Sequence, residues 1–102
     1  MARVAWTARL RPDRIEEYER EHAAVWPSVL AVIKSAGVHD YSIFRYEDRV
    51  FGVYECDDPE TANALMAAGE KDLGWNAAML ELFAPEVAER GADYMPEIFR
   101  LD

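Results

Sequence analysis

The sequence predicts an α+β fold in which helices cover one face of a four-stranded antiparallel sheet. Three observations lead to this prediction: alternating apolar residues near the start of the chain, two helical regions, and an aromatic hairpin between them. With 102 residues, the chain is long enough for one domain and too short for two. Its hydrophobic fraction of 51% is sufficient to form a core.

The first strand and the first helical region follow each other directly. Apolar and polar residues alternate from Arg3 to Leu10, which is typical of a strand with one buried face. Pro12 suits the first turn of a helix, where its missing amide hydrogen is not needed. Because Pro27 interrupts the backbone bonding, we expect a break near residues 23–26. The helix then resumes and ends at Gly37, which tolerates a positive φ.

The middle of the chain predicts a β-hairpin. Residues 39–46 are rich in aromatic and β-branched side chains, and so are residues 50–55. A short polar turn at Glu47-Asp48 separates the two segments. We therefore expect two antiparallel strands joined by a tight connection.

A second helical region and a last strand follow. The sequence Asp-Pro-Glu at residues 58–60 is a good helix start, with Asp as N-cap and Pro at the first position. We expect this helix to end at Gly69 and a further helix to contain Trp75. Residues 85–93 suggest a loop, and residues 94–101 an edge strand that contains a proline.

The resulting order is strand, helix, strand, strand, helix, strand, which is the ferredoxin-like split-βαβ pattern. No repeat or linker is visible, so we predict one domain spanning residues 1–102. Helices on one side leave the second face of the sheet open. The simplest cover is the same face of a second subunit, because small domains have limited core volume. We therefore expect a homodimer of the dimeric α+β barrel type.

Charge and composition exclude several classes of partner. The formal net charge of −9 repels phosphate backbones and anionic lipids, so we expect no nucleic acid and no membrane partner. A neutral small molecule such as a sugar fits better. The single cysteine, Cys56, suits a reducing compartment, and the N-terminal segment has no apolar run of signal-peptide length. We therefore expect a cytoplasmic protein.

No cofactor or metal site is expected. The sequence contains no GxGxxG, GxxxxGK[ST], HExxH or GxSxG motif. Its two histidines and one cysteine are too widely spread to form a recognisable metal-ligand set. The composition is compatible with acid/base chemistry that uses side chains alone.

The most informative feature is a stripe of Tyr18, His22 and Trp26 along one helix face. An imidazole with a pKa of ~6.5 exchanges protons readily at neutral pH. A histidine on an apolar face is more often a hydrogen-bonded core residue, so catalysis and packing both remain open at this point. His39 and Tyr41, at the start of a strand, are further candidates for the edge of a site.

Residues 16–44 resemble the L-rhamnose mutarotase family. In that family a tyrosine, a histidine and a Trp-Pro pair follow at spacings of four, and a Gly-x-His-x-Tyr motif comes after them. The chain matches without a gap, at Tyr18, His22, Trp26-Pro27 and Gly37-x-His39-x-Tyr41. Further similarities are a Phe51-Gly52 strand, the segment 75–79 and the ending Glu97-Ile98-Phe99-x-Leu101, so the resemblance spans nearly the whole chain.

This resemblance implies a dimeric, cofactor-free isomerase that interconverts the α and β anomers of L-rhamnose or a related 6-deoxyhexose. It implies that His22 is the proton donor and that Tyr18 and Tyr41 bind the sugar. The family has an aromatic pair on the second helical region, which corresponds here to Trp75 and Asn76. Trp26 and His39 are possible pocket residues.

The chain departs from the family pattern at three positions. Ala23 and Asp40 stand where family members often have asparagine, and Asn76 replaces an aromatic residue. These changes bear on the choice of sugar more than on the reaction. Two other hypotheses are compatible with the same architecture. One is a cofactor-free monooxygenase or lactone isomerase acting on aromatic substrates, and the other is a non-catalytic ligand-binding module.

Overall fold

The computed structural model of the protein describes residues 1–102 and contains one four-stranded sheet. The strands are β1 (Ala2–Arg9), β2 (His39–Tyr46), β3 (Arg49–Cys56) and β4 (Asp93–Met95). They pair in the order β2-β3-β1-β4, and each pairing is antiparallel. The predicted ferredoxin-like sheet, with its central hairpin turn at residues 47–48, is therefore confirmed.

Five α-helices and one short 3-10 turn complete the fold. The 3-10 turn at Pro12–Arg14 leads into the helices, which are α1 (Ile15–Ala23), α2 (Pro27–Ser35), α3 (Pro59–Leu73), α4 (Trp75–Leu80) and α5 (Pro85–Arg90). As predicted, the first helical region breaks before Pro27, which becomes the first residue of α2. No helix is long and apolar enough to cross a membrane.

The prediction that Gly69 ends a helix is wrong, because α3 continues through it to Leu73. Gly69 serves packing instead: a Cβ at this position would lie 2.5 Å from Cγ1 of Val32, so its absence lets α3 approach α2 closely. The helix ends at Gly74, which has the left-handed φ of 85° that favours glycine.

Two predictions for the last part of the chain are also wrong. Residues 85–93 are not a loop, since Pro85–Arg90 forms a helix with proline at its first position. The last strand is confined to Asp93–Met95 rather than spanning residues 94–101. Pro96 follows directly and has no amide hydrogen to continue the pairing with β1.

The core lies between the sheet and the helices. Alternate residues of β3, from Val50 to Cys56, are buried on this side, and Leu10, directly after β1, has no exposed surface. The opposite face of the sheet carries Phe44 and Tyr46, which are 62% and 71% exposed. Phe44 pairs across the strands with Phe51, so apolar rings are gathered on a face that no helix covers.

A β-bulge interrupts β2 near its start. His39 pairs with Glu55 and Ser42 with Val53, which leaves both Asp40 and Tyr41 opposite the single residue Tyr54. Asp40 adopts a positive φ of 53°, as an extra residue in such a bulge commonly does. Tyr41 lies two residues before Ile43, which is opposite Gly52, so both are on the helix side of the sheet, and the Tyr41 ring is 4.9 Å from that of Tyr54 between centroids. The bulge instead changes the side of His39, which pairs with Glu55 on the other face.

Candidate active site

A cavity of about 560 Å³ lies between the sheet and the helices, and 12 of its 18 lining residues are hydrophobic. Six of the residues singled out in the sequence line it: Tyr18, His22, His39, Tyr41, Trp75 and Asn76. Trp26 is not part of the lining; its ring packs edge-on against Trp75 with centroids 5.0 Å apart. The helices that cover the sheet and the bulged strand β2 thus bring together groups that are far apart in the sequence.

His22 is held by the helix that carries it. Its Nδ1 lies 2.9 Å from the backbone oxygen of Tyr18, one turn earlier. Because a carbonyl oxygen only accepts hydrogen bonds, Nδ1 carries the proton and the neutral ring has an unprotonated Nε2. Burial lowers the pKa of His22, although the bond to Tyr18 and the charge of Glu21 oppose this effect. The neutral imidazole therefore offers Nε2 as a proton acceptor.

The rings of Tyr18 and Trp75 fix the position of the imidazole. Tyr18 stacks on His22 with ring centroids 4.1 Å apart, and Trp75 meets it edge-on at 5.6 Å. Both residues are almost fully buried, with exposed fractions of 4% and 5%. Burial also raises the pKa of the Tyr18 hydroxyl, so the phenol remains protonated at neutral pH. Trp75 is therefore part of the wall of the cavity, and Tyr18 is a hydrogen-bonding group and not an acid.

Tyr41 presents a hydroxyl to the cavity from the sheet. Its Oη accepts a hydrogen bond from Nε1 of Trp6, at 2.9 Å. The O–H of the phenol is thereby left to donate to another group. Burial raises the pKa of Tyr41, which the bond from Trp6 only partly offsets. Trp6 in turn lies over Gly52, where a Cβ would come within 2.2 Å of the indole ring.

Glu70 is a cavity residue that sequence reasoning missed. It lies in α3 and lines the cavity together with His22 and Tyr41. Burial raises the pKa of its carboxyl group. One sequence signal could have identified it: Glu70 follows the buried Met66 by four residues, which places it on the inner side of a helix.

Three potential metal ligands, two of them adjacent in the sequence, meet at the edge of the sheet. Ligand atoms of His39, Asp40 and Glu55 lie within 4.8 Å of one another. His39 Nδ1 is 2.7 Å from an Asp40 carboxylate oxygen. Arg3 and Arg100 approach the Glu55 carboxylate at 3.6 and 3.8 Å, so this group already has positive partners. The cluster is accounted for by ion pairing.

Comparison with known proteins assigns the family. The sequence pattern of the family described as L-rhamnose mutarotase matches residues 3–101. The chain belongs to the L-rhamnose mutarotase family. Proteins named L-rhamnose mutarotase from Yersinia pestis (strain Pestoides F) and Yersinia pseudotuberculosis serotype O:1b (strain IP 31758) are each 39% identical to it over 77 residues, covering 74% of both chains.

Solved structures support the same fold. The crystal structure of L-rhamnose mutarotase FA22100 from Formosa agariphila matches with a TM-score of 0.74 and 19% identity, and the match covers all of both chains. Tetracenomycin F2 cyclase from Streptomyces glaucescens matches with a TM-score of 0.61 and 16% identity, over 100% of this chain and 98% of the cyclase. At these identities the structural matches show the fold alone. The resemblance predicted from residues 16–44 is thus confirmed by the match across residues 3–101.

Proposed function

We propose that the protein is a cofactor-independent isomerase that interconverts the α and β anomers of L-rhamnose or a closely related 6-deoxyhexose. Membership in the L-rhamnose mutarotase family supports the reaction. The observation that carries the proposal is His22, which lines a sugar-sized cavity with Nδ1 bonded to the Tyr18 carbonyl and Nε2 left as a proton acceptor.

Mutarotation requires two proton transfers and no change of oxidation state. The C1–O5 bond of the ring breaks, the ring oxygen gains a proton and the anomeric hydroxyl loses one. The aldehyde carbonyl then rotates and the ring closes on its other face, with both proton transfers reversed. In this scheme Nε2 of His22 accepts a proton on opening and donates it on closure. The role of proton donor that the family resemblance implies for His22 therefore applies to the closing step.

The lining of the cavity suits a sugar that carries a methyl group. Tyr18 and Tyr41 stay protonated and would donate to sugar hydroxyls, and the Asn76 amide both donates and accepts. Trp75 and the apolar lining would contact the C–H groups and the methyl group of a 6-deoxyhexose. Asn76 is smaller than the aromatic residue of other family members, so we expect this part of the cavity to influence which sugar is preferred.

We propose that the protein forms a homodimer through the open face of the sheet. Phe44, Tyr46 and Phe51 expose aromatic surface there, and monomeric proteins rarely leave such patches uncovered. The C-terminal segment adds Ile98, which is 93% exposed, and two further exposed apolar residues, Phe99 and Leu101.

We also propose a cytoplasmic location, since the only cysteine, Cys56, is a buried thiol.

NMR saturation transfer between the two anomeric protons tests the activity directly. We expect the purified protein to accelerate exchange for L-rhamnose, and to do so less for hexoses that carry a 6-hydroxyl group. Exchange no faster than in buffer for a panel of 6-deoxyhexoses would contradict the proposal. Binding of an aromatic substrate without any binding of sugar would instead favour the chemistry of other enzymes with this architecture.

A further inference from the structure

Glu70 is an acidic side chain in the cavity wall that makes no hydrogen bond and no ion pair. The other carboxylate on the cavity, Asp40, is bonded to His39. Lys34 also lines the cavity, but its position is exposed and it forms no pair with Glu70. A half-buried carboxyl group without a partner has no evident structural purpose, which directs attention to the molecule that the cavity would hold.

The packing of α3 brings Glu70 to this place. Gly69 allows Val32 of α2 to press against the helix backbone, and Met66 anchors the preceding turn in the core. Glu70 and Tyr41 both line the cavity, and the charge of Glu70 adds to the effect of burial in raising the pKa of that phenol. Glu70 of α3 and Tyr41 of the bulged strand thus line the same cavity.

The proposed reaction needs a proton donor in addition to the acceptor supplied by His22. Tyr18 and Tyr41 are weak acids here, because burial raises the pKa of both hydroxyls. A carboxyl group in an apolar wall is better suited, since burial favours its protonated form. Glu70 meets this requirement and lines the cavity.

We propose that Glu70 is the second catalytic residue: it protonates the ring oxygen while Nε2 of His22 takes the proton of the anomeric hydroxyl. This inference rests on the proposed mutarotase function and assigns a further residue to the same cavity. It also gives α3 a chemical role that neither the sequence motifs nor the spacing of Tyr18, His22 and Trp26 indicated.

The step balances without any further reactant. As the C1–O5 bond breaks, its electron pair takes the Glu70 proton and becomes the ring-opened hydroxyl. The O1–H bond pair forms the aldehyde π bond as its proton moves to His22. The open sugar then lies between a Glu70 carboxylate and a His22 imidazolium. Closure on the other face returns both protons, so the enzyme ends in its starting state.

Glu70→Gln tests the proposal, because the amide keeps the shape of the side chain but is not a useful acid. We expect kcat to fall by about 100-fold or more, the usual contribution of one positioned acid or base. KM should stay within about threefold, since the loss falls on the transition state. Asp72→Asn, an equal charge change at an exposed site two residues later in α3, should leave both constants unchanged.

Chemical rescue separates proton transfer from packing. In Glu70→Ala, formic acid fits the space left by the side chain, and we expect added formate to restore exchange in proportion to the concentration of its protonated form. It should have no effect on the wild type or on His22→Ala. Glu70→Asp, which keeps the acid, should retain more activity than Glu70→Gln, and it replaces that variant if the amide does not fold.

Two results would overturn the inference. One is wild-type kcat in folded Glu70→Gln, and the other is loss of activity in Glu70→Ala that formate does not restore. A failure of the proposed function is distinguishable from both, because the wild-type protein itself would then show no anomeric exchange. The amide and methyl NMR spectra of each variant establish that it is folded before its kinetics are interpreted.

Discussion

The imidazole of His22 stacks on the phenol ring of Tyr18, with ring centroids 4.1 Å apart and an angle of 27° between the planes. The same residue provides the backbone oxygen that binds Nδ1 of His22 at 2.9 Å. Tyr18 therefore fixes both the orientation and the tautomer of the histidine. Both contacts depend on the four-residue spacing along α1.

His22→Ala should abolish most of the catalysed exchange while the protein remains folded. Removing one positioned acid/base group costs about 10²–10⁴-fold in rate, and the alanine preserves the helix. Saturation transfer between the anomeric protons measures the change. Glu16→Ala, at an exposed position of the same helix, is the matched control. Wild-type exchange in His22→Ala would show that another residue accepts the proton.

The free energy of unfolding should depend on pH through His22. Burial lowers its folded-state pKa below the usual value of 6.5, so below that value the unfolded chain binds a proton that the folded chain does not. The stabilising contribution is present above pH 6.5 and is lost as pH falls through the folded-state pKa. Urea titrations of the wild type and His22→Gln should therefore give a stability difference that grows as pH rises and becomes constant above 6.5.

Glu70→Gln provides a control of opposite sign for this experiment. Burial raises the folded-state pKa of Glu70 above the usual 4.5, so its contribution is present below pH 4.5 and is lost as pH rises through the folded-state pKa. The stability of the wild type relative to Glu70→Gln should therefore decrease with rising pH. Parallel pH profiles for all three proteins would contradict both assignments.

Phe44→Glu should convert the protein from a dimer to a monomer. The side chain is 62% exposed on the uncovered face of the sheet, where a buried charge would oppose association. Light scattering during size-exclusion chromatography reports the mass. Leu65→Glu, a similar change at a 51% exposed residue of α3, should leave the mass unaltered. A dimeric Phe44→Glu would place the interface elsewhere, and a monomeric wild type would contradict the proposed homodimer.

Glu47→Asn should stabilise the protein. Glu47 adopts a φ of 53° in the hairpin turn, a left-handed conformation that asparagine accepts more readily than glutamate. We expect a gain of about 0.5–1 kcal/mol, seen as a higher urea midpoint with an unchanged m-value. Asp48→Asn changes a neighbouring residue whose φ is not positive, so it should have little effect. Equal shifts of the urea midpoint in both variants would show that the gain comes from removing a negative charge and not from the backbone conformation of residue 47.

Much of the cavity follows from local periodicity. The spacing of Tyr18 and His22 places both on one face of α1 whatever the rest of the chain does. The order of helices and strands likewise follows from prolines and apolar patterns, which act over a few residues. The structure places both residues in the cavity wall; their roles in binding and catalysis remain predictions.

Other features depend on contacts between distant segments. The alternation of β2 does not show that Asp40 is an extra residue, so the side of the sheet on which His39 lies emerges only from the register with β3. Glycine commonly ends a helix, which is why the sequence predicts an end at Gly69. The close approach of Val32 instead explains why a glycine stands inside α3. Glu70 follows Gly69, where the sequence predicts the helix to end, so its place in the cavity wall emerges only because α3 continues to Leu73.

The contact between Trp6 and Gly52 has a consequence for how this cavity has diversified. A side chain at position 52 would occupy the space of the indole ring, 2.2 Å from a Cβ. Trp6 also holds the Tyr41 hydroxyl. Residues 6 and 52 should therefore covary among homologous proteins. A homologue with a larger residue at position 52 should have a residue smaller than tryptophan at position 6. A change of sugar preference at this part of the cavity then requires substitutions at both positions. An intermediate without Trp6 lacks the hydrogen bond that holds the Tyr41 hydroxyl.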